Sequence, residues 1–205
     1  MPWFYNSFRP LVNKPAGRRA AVAFGLPPFI DRSCRREPDF QSPCPAITGL
    51  CRKNKLTARL HVGDHVIYVT TKGWWGGIDE PHRRLVAVLR VRERFADHPQ
   101  AAQWYRELSL PLPSNCWVDD NPPIPYPQTV QDTPEATWDR DYRARARRYP
   151  TFLATDPLFC ELDDPPIVTT AMLLETFGRE PGTQNPPRIS DEEAHHLLRL
   201  ADVTL

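Results

Sequence analysis

The sequence predicts an α+β fold, or a barrel with flanking helices, for one domain that spans residues 1–205. Apolar runs rich in β-branched residues predict strands, and apolar residues at three- and four-residue spacing predict helices. These patterns follow one another without the strand–helix–strand alternation that is typical of parallel sheets. The chain also contains 24 prolines among its 205 residues. This is roughly twice the average usage of about 5%, and it predicts long, stiff loops.

The first predicted strand is the aromatic run at residues 3–8, which ends before Pro10. Asn6 and Ser7 are small polar residues at the C-terminal end of this strand, where side chains can point out of a sheet. Residues 11–58 are predicted to form a long, basic and mostly irregular excursion, in which residues 20–24 are compatible with a short strand. An irregular segment this long inside a compact domain is typical of functional or disordered loops.

Two central strands are predicted on either side of a glycine-rich loop. The first follows the turn dipeptide Gly63-Asp64 and the second runs from Arg84 to Phe95. Both apolar runs are too short and too unbroken for amphipathic helices. Residues 85–89 are continuously apolar, which predicts burial on both faces. The arginines that alternate after them predict that one face becomes exposed to solvent.

Four helices are predicted in the second half of the chain, and two short strands, at 151–155 and 158–162, precede the last two. The four helices have apolar stripes at helical spacing. The last two, within residues 169–203, extend beyond the strands. The predicted N-terminal caps are Asp97, Thr133, Thr169 or Thr170, and Ser190, which forms a capping box with Glu193.

The composition is ordinary for a soluble globular protein, with 40% hydrophobic and 25% charged residues. No apolar run approaches the roughly 18 residues that a membrane span needs, and no signal peptide is evident, so a cytoplasmic location without membrane contact is expected. The five cysteines have irregular spacing, which predicts reduced thiols rather than disulfides or a metal site. No cofactor is expected. Phosphate-loop, dinucleotide-binding, serine-hydrolase, zinc-protease and zinc-deaminase motifs are absent from the sequence.

The net charge of +1 conceals an uneven distribution along the chain. Residues 1–60 contain 11 lysines and arginines against 3 acidic residues, whereas residues 61–205 contain 15 against 22. A basic segment on a nearly neutral chain predicts a surface for a polyanion, unless the two halves neutralise each other in the fold. The candidate phosphate-binding residues are Arg18, Arg19, Arg35, Arg36, Arg52 and Lys53.

A second set of residues combines flat aromatic side chains with neutral hydrogen-bonding groups. A nucleobase that is flipped out of a helix requires this combination, because aromatic rings stack on the base while amides and hydroxyls bind its edge. The alternative is that most of these aromatic residues belong to the core. The candidate base-binding residues are Tyr5, Asn6, Ser7, Tyr68, Thr70, Thr71, Lys72, Trp74, Trp75, Ser114, Asn115 and Trp117.

The segments GDHVIYVTTK and RLVAVLRVRERF resemble the central hairpin of the PUA-like superfamily, which includes the ASCH, EVE and YTH domains. The opening WFYNSFRP is similar to the start of EVE domains. Residues 113–116 and 181–186 resemble segments of the nucleotide-modification-associated (Nmad-type) proteins of the same superfamily. The resemblance implies a PUA-like twisted β-barrel with flanking helices that binds nucleic acid, often with a modified base inside an aromatic cage. The insertion at 11–58 and the helices at 169–203 depart from a minimal domain.

Three functional hypotheses follow from the residues and from the resemblance. The first is a reader of a modified nucleobase, in DNA, in a bacterial or phage modification or defence system. The second is an enzyme that acts on a nucleoside or base. Some ASCH proteins are amidohydrolases with a lysine, a threonine and a glutamate, for which Lys72, Thr70 or Thr71, and Glu93 are the candidates. The third is a protein–protein interaction module. The sequence predicts neither the modification nor the oligomeric state.

Overall fold

The computed structural model describes residues 1–51, 53–130, 134–182 and 184–205, and in these ranges it has a mixed α+β fold. This confirms the predicted α+β class. The helices are α1 (Pro15–Phe24), α2 (His98–Glu107), α3 (Glu135–Arg148), α4 (Thr170–Phe177) and α5 (Asp191–Leu200). The strands are β1 (Trp3–Phe8), β2 (Ala46–Thr48), β3 (His65–Thr70), β4 (Arg83–Phe95), β5 (Phe152–Cys160), β6 (Ile167–Val168) and β7 (Arg188–Ile189).

The strands form one sheet in the order β2-β5-β4-β3-β1-β7, with β6 paired to β4. The two predicted central strands, β3 and β4, form the expected antiparallel pair. In contrast, β1 runs parallel to β3, with Asn6 beside Tyr68 and Phe8 beside Thr70. The carboxyl ends of β1 and β3 therefore meet at one edge of the sheet.

The sheet is open, and this corrects the expectation of a closed barrel. Among the described residues, β2 pairs with β5 and β7 pairs with β1, and the two outer strands do not pair with each other. Both are short, with three and two residues, which limits the exposed edge that they present. A PUA-like topology is therefore not established by the strand order.

Alternation along the strands produces a separate hydrophobic core on each face of the sheet, because successive side chains of a strand point to opposite faces. Phe4 of β1 and Tyr68 of β3 lie in one core, which residues from 11–58 cover with Phe29, Phe40 and Ile47. The other core contains residues of the same two strands that face the opposite way, together with residues of α4, β7 and α5. These include Trp3, Tyr5, Ile67, Val69, Leu173, Ile189 and Leu197.

The excursion at 11–58 is more ordered than predicted, since it contains α1, β2 and two single turns of 3-10 helix. Residues 20–24, for which a strand was considered, form the end of α1. Pro15 occupies the first turn of this helix and Gly25 ends it at φ +60°. A proline at the start and a glycine after the end are typical of a helix.

The predicted helix termini agree with the structure where the structure describes them. The Asp97 side chain accepts a hydrogen bond from the Gln100 amide (2.9 Å). Thr169 caps α4, and Ser190 forms a capping box with Glu193. Thr133 lies outside the described residues. The two short strands predicted at 151–162 are one strand, β5, which pairs with β4 on both sides of Pro157. None of the described helices is long and apolar enough to cross a membrane.

Candidate functional site

A cavity of about 410 Å³ lies at the edge of the sheet where β1 and β3 end. We call it the Glu37 cavity. The strand ends contribute Asn6, Ser7 and Thr71, because the parallel pairing brings the last residues of both strands together. The excursion covers the opening from the other side. The remaining residues that line the cavity are Phe8, Arg9, Asp31, Arg32, Glu37, Leu50, Cys51 and Gln184.

A second cavity, of about 280 Å³, shares residues with the first. We call it the α3 cavity. The shared residues are Asp31, Arg32, Glu37 and Leu50. Its other side consists mainly of residues from α3, namely Trp138, Tyr142 and Arg145. The residues around Glu37 therefore contact both the edge of the sheet and helix α3.

Glu37 is half-buried, and its carboxyl group is hydrogen-bonded to other residues of the protein. Its Oε1 accepts hydrogen bonds from the hydroxyl groups of Thr48 (2.8 Å) and Tyr142 (3.1 Å). Its Oε2 accepts a longer hydrogen bond from the Thr48 amide (3.4 Å), and the Asn115 side chain also hydrogen-bonds to the carboxyl group. Burial raises the pKa of Glu37 to about 8, and the negative charge of Asp31 raises it further against these hydrogen bonds.

At neutral pH, Glu37 is therefore mainly a neutral carboxylic acid. A neutral acid offers one donor and further acceptor capacity at the same group, unlike a carboxylate, which only accepts. A donor and an acceptor side by side can hydrogen-bond to the edge of a nucleobase. The same group can also transfer a proton in general acid–base catalysis.

Asp31 is a second acidic residue at the wall of both cavities. One of its carboxylate oxygens accepts hydrogen bonds from the amide of Ser33 (2.9 Å) and from the Ser33 hydroxyl group. Burial raises the pKa of Asp31, while Ser33 and the nearby Arg36 oppose that rise. Two acidic side chains thus face one cavity in a setting that favours uptake of a proton.

Asn6 and Cys51 line the side of the cavity next to the sheet, and Tyr68 contacts Cys51 from within the core. The amide of Asn6 donates to the Cys51 sulfur (3.3 Å), and the Tyr68 hydroxyl group lies 4.0 Å from the same sulfur. Tyr68 is completely buried, and burial holds its pKa well above the ordinary value for tyrosine. The Tyr68 phenol therefore stays protonated, and it contacts Asn6 and Cys51 from the interior of the protein.

Of the predicted base-binding residues, Asn6, Ser7 and Thr71 line the Glu37 cavity, and Tyr68 lies directly beneath it. The others do not line it. Tyr5 points to the opposite face of the sheet, where its ring packs against Phe177. Thr70 is buried and accepts a hydrogen bond from the Arg84 amide (2.9 Å). Lys72 forms an ion pair with Glu180 (3.0 Å), and Ser114 donates to Asp39 (2.7 Å).

The predicted tryptophan cage is not assembled at this cavity. Trp75 turns back onto the fold, where its indole N–H donates to the Thr71 carbonyl (3.0 Å) and its ring contacts Phe29. Trp74 is 68% exposed. Trp117 lies near α3, with the guanidinium group of Arg143 4.7 Å from its ring. The glycines around Trp74 and Trp75 thus allow a loop that packs beside the sheet.

Asn115 does not line the Glu37 cavity but lies in the protein interior next to it. Its side chain is completely buried and donates to the Ala46 carbonyl (3.0 Å). The Asn115 carbonyl accepts a hydrogen bond from Tyr142, the residue that also donates to Glu37. Asn115 therefore positions the neighbours of Glu37 and is enclosed by protein.

The predicted phosphate-binding residues divide into interior and exposed positions. Arg35 and Arg36 are only 1% exposed. Arg35 binds Asp139 (2.7 Å) and the carbonyls of Ser114 and Asn121 (both 2.9 Å), so its charge is used inside the fold. Arg36 donates to the Asp31 carbonyl. The exposed residues are Arg18, Arg19 and Lys53, and Arg52 lies outside the described residues.

The residues proposed for an amidohydrolase site do not come together. Lys72 lies next to the start of β4, whereas Glu93 lies ten residues beyond Arg83 on that strand. At about 3.3 Å per residue, this separation is roughly 30 Å. Thr70 and Thr71 lie near Lys72, but Glu93 lies too far away to share a reaction with them.

The central residues of the cavity, Glu37, Asp31 and Cys51, were not among the predicted site residues. Their folding partners are distant in sequence, as with Glu37 and Tyr142. One signal was available, because Asp31, Glu37 and Asp39 are the three acidic residues of the first 60, in a segment with 11 basic residues. Acidic residues kept within a basic segment indicate a specific use.

Comparisons with protein-family models, with curated proteins and with solved structures find no match to this chain.

Proposed function

We propose that this chain binds nucleic acid and takes a nucleobase, modified in the preferred ligand, into the Glu37 cavity. The observation that carries the proposal is the position of Glu37, whose pKa burial raises to about 8, at the wall of a cavity of about 410 Å³. A volume between about 300 and 1,000 Å³ is usual for small-molecule sites. The sequence resemblance to PUA-like domains, in which a base is often extruded into a pocket, supports the same assignment, and the proposal includes a role in a modification or defence system.

In this proposal, the polar groups of the cavity bind the edge of the base. Glu37 donates its proton and accepts in return, while Asn6 and Ser7 supply neutral amide and hydroxyl groups at the strand end. Phe8 and Leu50 provide apolar contacts for the base. Base recognition in this proposal therefore depends mainly on polar groups and not on a cage of tryptophans.

The proposal predicts that base binding depends on the proton of Glu37. We expect wild-type affinity for nucleosides to be constant below pH 7 and to fall about tenfold per pH unit well above pH 8, because one proton is required. Glu37→Gln keeps the size of the side chain and removes its titration, so its affinity should not change with pH. Isothermal titration calorimetry with a panel of modified and plain nucleosides measures this.

Glu93→Gln is the matched control, since it makes the same chemical change on the exposed face of β4. It should retain the wild-type pH profile. Equal affinity for every modified and plain base would contradict a modification reader, and absence of nucleoside binding at any pH would contradict the binding proposal itself.

The same acid supports a second candidate function, an enzyme that removes an acyl group from a base nitrogen. A glutamic acid with a pKa near the working pH suits general acid catalysis. Water would add to the acyl carbon as the C–N bond breaks. Glu37 would protonate the departing nitrogen and regain the proton that the water loses.

Mass spectrometry of acylated nucleosides after incubation tests this. Turnover that Glu37→Gln abolishes without loss of binding would favour it over a reader.

A further inference from the structure

The exposed side of α3 carries a dense group of arginines that the cavity does not use. Residues 140–148 contain Arg140, Arg143, Arg145, Arg147 and Arg148, all of them exposed. Tyr142 and Ala146 of the same segment are buried and attach the helix to the fold. We define the five arginines as the α3 arginine face.

Little negative charge opposes this face. Asp139 is engaged by the buried Arg35 (2.7 Å), and Asp141 lies 3.6 Å from Arg140. In the part of the chain that the structure describes, no acidic side chain forms an ion pair with Arg143, Arg147 or Arg148. Positive charge therefore remains available to an external anion.

Two of the arginines are held over an aromatic ring. The guanidinium groups of Arg143 and Arg147 lie 4.7 and 5.6 Å from the ring centre of Trp117, which is half-buried. A cation over an aromatic face is positioned without losing its charge. An ordered guanidinium group binds phosphate with less loss of side-chain freedom than a mobile one.

The α3 arginine face reaches from Trp117 to the cavity. With about 100° between successive residues of a helix, Arg143 and Arg147 lie on one flank of the buried Tyr142 stripe and Arg145 lies on the other. Arg145 and Trp138 line the α3 cavity, which shares Glu37 and Asp31 with the Glu37 cavity. Arg140 and Arg148 lie on the solvent side between the two flanks.

We propose that a single strand of DNA crosses α3 on this face and delivers its base to Glu37. The phosphates would contact Arg143, Arg147 and Arg148, and Arg145 would hold the backbone at the cavity entrance. A helix about 10–12 Å wide is crossed by only a few nucleotides. This inference rests on the proposed function, and it adds the path of the strand.

The chemistry of the face favours DNA over other partners. Between Arg140 and Arg148 it presents no large apolar side chain to solvent, as an interfacial membrane helix would. Asp141, the acidic side chain between Arg140 and Arg148, lies 3.6 Å from Arg140, so the face offers mainly donors to a ribose 2′-hydroxyl group, which is the group that distinguishes RNA. What remains is attraction between the guanidinium groups and phosphates, which is the main interaction of proteins with single-stranded nucleic acid backbones.

The experiment measures binding of a fluorescent single-stranded DNA by anisotropy at several salt concentrations. For Arg143→Gln/Arg147→Gln, we expect the slope of log affinity against log salt to decrease by about 1.4, because each lost phosphate contact contributes about 0.7. Binding of the free nucleoside to this variant should equal the wild type. The control Arg179→Gln/Arg199→Gln removes the same charge at exposed positions, one just after α4 and one in α5, and should leave the slope unchanged.

An unchanged slope in the α3 variant, or an equal decrease in the control, would overturn the proposal. So would tighter binding of RNA or of duplex DNA with the same sequence. If free nucleosides fail to bind while DNA binding still depends on Arg143 and Arg147, the base-binding proposal fails and the path across α3 stands. Arg143→Lys/Arg147→Lys keeps the charge and should restore most of the slope, which separates lost charge from damage to the fold.

Discussion

Glu37 shows how burial changes what a single residue can do. Its folded-state pKa of about 8 exceeds the ordinary value of 4.5, because burial and Asp31 disfavour its charged form. Between these two pH values the folded protein holds a proton that the unfolded chain has released. Its contribution to stability is therefore fully present below about pH 4.5 and is lost as pH rises to about 8.

We expect the free energy of unfolding of the wild type, relative to Glu37→Gln, to fall between pH 5 and 8. The upper limit is about 1.4 kcal/mol per pH unit, for one proton. Urea denaturation of both proteins at each pH measures the difference. The contribution of His98, whose pKa burial lowers to about 4, is the same in both proteins and is removed by the subtraction. A difference that stays constant with pH would show that Glu37 is already ionised at neutral pH.

At the scale of elements, the short helix α1 depends on a close approach that only glycine permits. A Cβ atom at Gly17 would overlap the carbonyl oxygen of Leu11 and lie 2.6 Å from Val130 Cγ1. Gly17→Ala should destabilise the fold by about 1–3 kcal/mol, although alanine is the better helix former. Urea unfolding measures this. Gly182→Ala, with no atom within 4 Å of the added carbon, is the control and should be neutral.

The same element shows what local patterns can and cannot predict. The caps at Asp97 and Ser190 correctly located α2 and α5, because these signals act within one or two turns. Pro15 and Gly25 mark the ends of α1 in the same way, but an irregular segment was predicted there. In contrast, the parallel pairing of β1 with β3 joins residues about 60 positions apart. No local pattern encodes it, yet it creates the edge at which Asn6 and Thr71 meet.

At the scale of the whole molecule, the site depends on contacts between distant segments. Asn6 and Ser7 were predicted as site residues from their place at the end of a strand, and both line the Glu37 cavity. Glu37 becomes part of the site only because the excursion folds over the sheet and Tyr142 of α3 reaches it. Trp74 and Trp75 were predicted instead, because a glycine-rich loop with two tryptophans has the same sequence pattern whether the rings are exposed or pack beside a sheet.

Arg35 joins three of these segments, so it offers a test of how the site is held together. Its guanidinium group binds Asp139 of α3 and the carbonyls of Ser114 and Asn121, which belong to the proline-rich segment 110–129. Arg35→Met fills the space but leaves these acceptors without their donor. Loss of one partner of a buried ion pair costs about 3–5 kcal/mol. We expect a large fall in the free energy of unfolding, measured with urea.

Asp139→Asn should cost less, because the carbonyl of asparagine still accepts from Arg35 and the other two hydrogen bonds remain. Hydrogen exchange gives the spatial information that urea unfolding lacks. Faster exchange in Arg35→Met should be concentrated in α3 and residues 113–121, while the β3–β4 hairpin keeps its protection. If exchange increased equally throughout the sheet, Arg35 would stabilise the whole fold rather than the junction that places Tyr142 against Glu37.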